Sequence, residues 1–207
     1  ILHCLCRSGA LRGEMTPKSE LTNETVIRDL KPELVDDYLR FFQSVYSTDP
    51  WLNTESNPWW GICYCGFYDD PRTEQERNTA PEAANKNREM RAETIRSGKA
   101  DGLLAYLDGK VVGWRNAGPR ASYRNLHNLV PAEDPRGEIG SILCFVVAGP
   151  FRGIGVCTRL LHAACDKLRS DGLEVAEGYP RTLPPAVNNP DDTPAERNQH
   201  ERQHDDQ

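Results

Sequence analysis

The chain has 207 residues, 38% of them hydrophobic, with a formal net charge of -6 at pH 7, a pI near 5.4 and a mean hydropathy of -0.66. That length suits one domain, the acidic balance argues against a general grip on nucleic acid, and no apolar run reaches the roughly 18–20 residues of a membrane span. So low an apolar content also leaves part of the chain outside any core.

The first fourteen residues, "ILHCLCRSGALRGE", precede Met15 and lack a basic region followed by an apolar one. They are expected to lie upstream of the native start, and residues 1–23 to form a poorly ordered extension. "ETVIRDL" (Glu24 to Leu30) predicts a first strand. From Pro32 the spacing of Leu34, Val35, Tyr38, Leu39, Phe42, Val45 and Tyr46 predicts an amphipathic helix. Pro32 suits its first turn, and Glu33, Asp36 and Asp37 suit the positive end of its dipole.

Ser47 to Pro71 is an aromatic-rich stretch without periodicity, which fits a binding loop. A second, mostly polar helix is predicted from about Pro81 to Ser97, ending at Gly98. Two apolar runs then flank Asp108-Gly109, a hairpin signal because that turn needs positive φ at both central residues. After a loop over Asn128 to Gly137, "EIGSILCFVVA" (Glu138 to Ala148) reads as a central strand. A helix follows from about Gly155 to Arg169 with Val156, Leu160, Leu161, Ala164 and Leu168 inward, Gly172 ends it, and "LEVAEGYP" reads as one more strand. Residues 181–207, rich in Pro, Asn, Asp and Gln, are expected to be disordered.

Seven cysteines are an odd number. Cys144, Cys157 and Cys165 fall inside predicted regular structure, where they read as small buried hydrophobes, so reduced thiols and a cytoplasmic setting are expected. Cys144 is flanked by apolar residues, which should raise its thiol pKa and suit it to packing rather than acyl transfer. Cys63-Tyr64-Cys65, beside Trp59, Trp60, Phe67 and Tyr68, has three readings: a buried aromatic loop with inert thiols, the lining of an acceptor pocket, or a zinc site with Cys4 and Cys6. Its C-x-C spacing is not that of common zinc knuckles, and no metal is expected. His127 and His162 have no partner histidines and suit surface or satisfied roles.

The decisive stretch is "GPFRGIGVCTRLL", directly after the central strand. Without side chains at Gly153 and Gly155, the backbone can approach an anion. The first N–H groups of the next helix then point at it with the helix dipole behind them. A tight strand-to-helix turn with no ligand would read the same way. A P-loop is excluded by the missing Gly-Lys-Ser/Thr ending, and a dinucleotide fold by the missing G-x-G-x-x-G.

"VVAGPFRGIGVCTRLL" resembles the acetyl-CoA-binding motif of the GNAT N-acetyltransferase superfamily, Arg/Gln-x-x-Gly-x-Gly/Ala at a helix start, through Arg152, Gly155 and position 157. Position 157 is Cys where the family usually has Gly or Ala. The order of elements from about Glu24 to Tyr179 is similar as well. The resemblance implies an α/β domain over residues 24–180, with a mixed, mostly antiparallel sheet flanked by helices. It also implies transfer of an acetyl group from acetyl-CoA to a primary amine by direct attack in a ternary complex.

By the same resemblance, the turn and helix start at Arg152, Gly153, Ile154, Gly155, Val156 and Cys157 would hold the pyrophosphate. The backbone of Phe145, Val146 and Val147 would pair with the pantetheine arm, with the Val147 amide as oxyanion donor. Glu138 would be the general base, its other reading being an exposed strand-end charge. Trp114 and Asn116 join Trp59, Trp60, Cys63, Cys65 and Tyr68 as acceptor contacts. The family's Tyr-bearing helix and last hairpin have no counterpart after "EGYPR", which casts Tyr179 as the acid and leaves an apolar sheet edge that could be covered in a homodimer. A small-molecule or peptide amine is the implied partner, with no nucleic acid and no membrane; a CoA-binding module without turnover is the alternative.

Overall fold

Five strands pair in chain order, β1-β2-β3-β4-β5, in a computed structural model that describes residues 24–43, 63–78, 82–126 and 138–179. They are β1 (Val26–Asp29), β2 (Leu103–Leu107), β3 (Lys110–Pro119), β4 (Ile139–Val147) and β5 (Val175–Gly178). The first three pairings are antiparallel and the last, β4 with β5, is parallel. The mixed, mostly antiparallel α/β sheet inferred from the sequence is therefore the fold. The 1–23 and 181–207 segments, His127, Trp59 and Trp60 lie outside the described residues.

The β2–β3 hairpin turns on Asp108 and Gly109 with φ of 49° and 73°, the left-handed pair that the dipeptide signalled. After β4 the chain crosses over through α4 (Val156–Ser170) before β5 returns parallel. That helix covers one face of the sheet: a Cβ on Gly113 would lie 3.1 Å from Val156 Cγ1 and 3.2 Å from Leu160 Cδ1. Val156, Leu160, Ala164 and Leu168 are buried at four-residue spacing. Leu161, expected inward, is 38% exposed instead; about 100° round the helix from Leu160, it falls beyond the edge of the buried stripe.

On the other face lie α1 (Val35–Gln43), entered through a 3-10 turn at Pro32–Leu34, and α3 (Ala83–Arg96). Val35, Tyr38, Leu39 and Phe42 of α1 are buried as their spacing predicts. Phe41, left off that face, is buried too, because α1 packs on α3 as well as on β3; Val45 and Tyr46 lie outside the described residues. A short helix, α2 (Glu74–Asn78), was not anticipated. Its start is a capping box: Glu76 accepts the Thr73 N–H at 2.7 Å, and the Glu76 N–H donates to Thr73 Oγ1 at 3.3 Å. No helix among the described residues is long and apolar enough to cross a membrane.

Leu160 is fully buried between α4 and the sheet. Leu160→Ala should therefore cost about 3 kcal/mol, the usual range for deleting a core leucine. Urea unfolding would show this as a lower midpoint with an unchanged m-value; a shift equivalent to less than about 0.5 kcal/mol would contradict the packing.

Candidate active site

The site forms where β5 leaves β4. Parallel pairing runs from Ile139↔Val175 to Ile142↔Gly178 and stops, while pairing of β4 with β3 continues to Val147. Beyond Ile142 the outer edge of β4 has no strand partner among the described residues. The Ala148 N–H donates to Val112 C=O at 3.0 Å. Gly113↔Val147 is thus a non-hydrogen-bonded pair, and the polar groups of Val147 turn away from β3. By the same alternation Phe145 turns its N–H and C=O to the open edge, while Val146 directs its own toward Trp114. One step earlier the register slips: Arg115 faces Phe145 and Ala117 faces Ile142, so Leu143 and Cys144 together oppose Asn116. This bulge bends β4 at the point where β5 departs.

The open edge runs into the turn before α4. A 3-10 turn at Gly149–Phe151 leads to Arg152, whose Nε donates to Val147 C=O at 2.9 Å and ties the turn to β4. Gly153 (φ 75°) and Gly155 (φ 94°) adopt left-handed backbone that disfavours a side chain. A Cβ at Gly153 would meet nothing within 4 Å, so space above it is open. Gly155 is the N-cap and no side chain caps the helix. The first intrahelical bond is from the Arg159 N–H to Gly155 C=O at 3.1 Å, and the helix-start amides before it have no acceptor within the helix. This cradle fits a pyrophosphate, and the edge above it fits an amide-bearing arm added as a strand.

The segment holding Cys63, Cys65 and Tyr68 covers the other face of the β3–β4 bulge. Tyr38 donates its hydroxyl to Tyr64 C=O at 2.5 Å, and Asn116 Nδ2 donates to Cys65 C=O at 3.5 Å. Asp70 is forked by Arg72, whose Nη2 also reaches Asn87 Oδ1 at 2.6 Å. Tyr68, Tyr123, Leu126 and Leu143 form a small apolar cluster against which Cys144 and Tyr179 pack. Trp114 and Asn116, expected as acceptor contacts, are fully buried: Trp114 lies edge-on to Tyr38 with centroids 4.8 Å apart, and Asn116 Oδ1 accepts from Tyr123 at 2.8 Å. Both are therefore part of the packing behind the β3–β4 bulge, not contacts exposed to an acceptor.

Burial pushes the Cys63 thiol up to about 11 and the Cys65 thiol well above its ordinary value. Cys144 goes the other way, contrary to the expectation from its apolar neighbours. A hydrogen bond with the Cys65 thiol lowers its pKa and outweighs its burial. Among the described residues no group of three or more His, Cys, Asp or Glu is placed to hold a metal ion; Cys4 and Cys6 lie outside them.

The two carboxylates of interest occupy different places. Glu138 is exposed, one residue before β4, and its C=O accepts the N–H groups of Glu174 and Val175. It stands four residues, about 13 Å, upstream of the last β4–β5 pair. Glu177, which the sequence did not single out, sits on β5 opposite Ser141 at that last turn of pairing. Burial, then the hydrogen bond to Glu177, pushes the Tyr179 phenol up to about 12, so it stays protonated at neutral pH.

Two buried guanidiniums were also missed. Arg91 of α3 is paired with Asp69 and donates to the Tyr38 hydroxyl at 3.2 Å. Arg115 lies over the Phe145 ring, 3.0 Å from its centroid, and burial pushes it down to about 9. The inward step Asn87–Arg91–Ile95 was the available signal for Arg91.

The chain belongs to the GNAT acetyltransferase family, whose model, described as "Acetyltransferase (GNAT) family", matches residues 65–178, more than half of the chain. It is thereby an acyltransferase of the N-acetyltransferase type. No curated protein sequence matches it. Among solved structures it is similar to the aminoglycoside N-acetyltransferase AAC(6')-Iy in complex with CoA (14% identity, 76% of this chain and 77% of that one, TM-score 0.46). It is also similar to a ribosomal-protein-alanine N-acetyltransferase from Brucella melitensis biovar Abortus 2308 (13%, 77% and 82%, TM-score 0.45). A third is an aminoglycoside acetyltransferase from an uncultured soil metagenomic sample in complex with sisomicin (12%, 78% and 81%, TM-score 0.45). At these values the likenesses carry no argument about substrate.

A thiol with a pKa near 11 is ionised to about one part in a thousand at pH 8. Cys63 should therefore resist iodoacetamide in the native protein at pH 8, read by peptide mass spectrometry; alkylation as fast as that of free cysteine would contradict its environment.

Proposed function

We propose that the protein is a cytoplasmic enzyme that transfers an acetyl group from acetyl-CoA to a primary amine, by direct attack while both substrates are bound. The observation that carries this reading is a single continuous feature: the unpaired edge of β4 beyond Ile142 leads directly into the Gly153–Gly155 turn at the start of α4. The amides of the turn and helix start, Gly153 to Cys157, hold the pyrophosphate, with Ile154 buried beneath them. The Arg152 N–H already donates to Gly149 C=O at 3.2 Å, so Arg152 braces the turn instead. Phe145 offers its backbone N–H and C=O to the pantetheine arm. The N–H of Val147, whose C=O is held by Arg152, stands ready for a developing oxyanion. Bound acetyl-CoA supplies the activated thioester.

The amine enters from the face of Tyr68, Tyr123 and Leu143, whose packed side chains exclude water around the reacting atoms. It has to arrive as, or become, the neutral nucleophile, so a carboxylate must receive its proton. Glu138, exposed at the start of β4, reaches the opening only through water. Tyr179 packs against the apolar cluster and would hold the proton that the departing sulfur needs. A small molecule or a peptide bearing a primary amine suits the acidic chain.

Calorimetry of acetyl-CoA binding tests the cradle. The wild-type chain should bind with about micromolar affinity, and Gly155→Glu, which places a carboxylate where the pyrophosphate sits, should weaken binding at least about 100-fold. Equal binding by both proteins would refute the cradle. A thiol-release assay with spermidine, kanamycin and a lysyl peptide tests turnover: CoA thiol set free with an amine establishes the transferase. Tight acetyl-CoA binding with no release would define a CoA-binding module instead.

A further inference from the structure

Four polar side chains meet where the two parallel strands part. Glu177 of β5 is the register partner of Ser141 of β4, one pair before Ile142↔Gly178 closes the ladder. Its Oε1 accepts from Ser141 Oγ at 3.3 Å, from Arg120 Nη1 at 3.4 Å and from the Tyr179 hydroxyl. Ser141 Oγ and the Tyr179 hydroxyl are themselves 3.0 Å apart. The side chains of Arg120 and Glu177 are 13% and 14% exposed, and Ser141 is fully buried. Three donors on one oxygen fix the rotation of the carboxylate. An ion pair made only to neutralise Arg120 would not need two hydroxyls on that same atom.

The position matters as much as the geometry. The Tyr179 ring packs on the cluster of Tyr68, Tyr123, Leu126 and Leu143, so the network adjoins the face assigned to the amine. Glu138, before the start of β4, stands three residues, about 10 Å, back from Ser141. We infer that Glu177 is the carboxylate that receives the acceptor's ammonium group and takes its protons, with Tyr179 relaying one of them to the departing sulfur.

This inference rests on the acetyl-transfer reading and completes its proton balance. Two protons leave the nitrogen. Glu177 takes the first from the ammonium and releases it to solvent, which frees the lone pair. That lone pair forms the C–N bond as the C–S bond breaks. Glu177 takes the second proton and passes it to the Tyr179 oxygen, while the proton already on Tyr179 moves to sulfur. The phenol ends neutral and the thiolate becomes a thiol. A phenol held at about 12 could not do this through a free phenolate, but a concerted relay needs none. Among the described residues, the charged and titratable groups around the network include Arg120 after β3, Tyr179 after β5, and Tyr68, Tyr123 and Cys144 in the adjoining cluster.

The test uses the full chain with Glu177→Gln, Glu177→Asp and, as an exposed control before β5, Glu174→Gln. With the amine that releases most CoA thiol, Glu177→Gln should lower kcat/KM about 100-fold and remove the low-pH limb of its profile. Glu177→Asp should restore part of both, and acetyl-CoA affinity should stay within about twofold by calorimetry. A second readout needs no CoA. The Tyr179 signal, labelled with carbon-13 at Cζ and assigned with Tyr179→Phe, should move when spermidine is added to the wild type and to Glu174→Gln, but not to Glu177→Gln.

Thermal melts check that the variants fold; should Glu177→Gln melt early, Glu177→Asp with an approximately tenfold loss and a shifted limb carries the test. Full activity of Glu177→Gln, with the limb lost in Glu138→Gln instead, would overturn the inference and leave acetyl transfer standing. A spermidine response unchanged in Glu177→Gln would also overturn it. Where wild type releases no thiol with any amine, the transfer reading fails, and the spermidine response still decides whether Glu177 receives an ammonium group.

Discussion

A strand inside a sheet has two hydrogen-bonding edges, and beyond Ile142 β4 uses only one of them within the described residues. Buried or half-buried backbone groups left without partners are costly, about 1–3 kcal/mol each. The bulge opposite Asn116 bends β4 where its neighbour departs, and the Arg152 guanidinium returns to one of the carbonyls beyond it. What stays open among the described residues is a row of polar groups without a strand partner, an available template for an added strand. The α4 turn, the bulge and the carboxylate of Glu177 all take their positions from this parting of two strands.

The opposite side of β3 and β4 is built for rigidity. Trp114 is clasped between Tyr38 and the Arg91 guanidinium, which lies 5.8 Å from its ring. Arg91 is in turn held by Asp69, and the segment carrying Asp69 is pinned through Asn125, whose N–H donates to Tyr68 C=O at 3.0 Å and whose Nδ2 donates to Asp70 C=O at 2.9 Å. Removing one member of such a buried pair leaves the other charge without compensation, typically a loss of about 3–5 kcal/mol. The irregular segment 63–72 is therefore fixed by charge and hydrogen bonds where a regular element would have used its own ladder.

Much of the fold was legible because its signals are local. Asp108-Gly109 dictates its turn by backbone sterics, the four-residue spacing from Val156 to Leu168 dictates a buried helix face, and the glycines after β4 dictate the turn. Less was legible at the site, because its determinants are not local. Arg91 sits on a helix that reads as polar, and only the partner Asp69 and the ring of Tyr38, 22 and 53 residues away, make its burial tolerable. Glu177 is one carboxylate in "EVAEGYP", and its meaning comes from Ser141 and Arg120, 36 and 57 residues away. Glu138 drew attention because it begins the strand that leads to the glycine turn, whereas register decides which carboxylate stands where β4 and β5 part. The capping box at Thr73 and Glu76 is the exception, a local signal passed over inside a stretch without periodicity.

Each strand of this sheet lies beside the strand that precedes it in the chain. Such an order keeps most strand pairings close in sequence, so little loop entropy opposes them. During synthesis, β1 to β4 can assemble as they leave the ribosome, before the crossover helix and β5 exist. The nascent protein then passes through an interval in which the whole outer edge of β4 is bare, the very edge that the described residues of the finished fold cover only in part. Quality control of the newborn chain would thus act on the same row of backbone atoms proposed to receive the pantetheine arm.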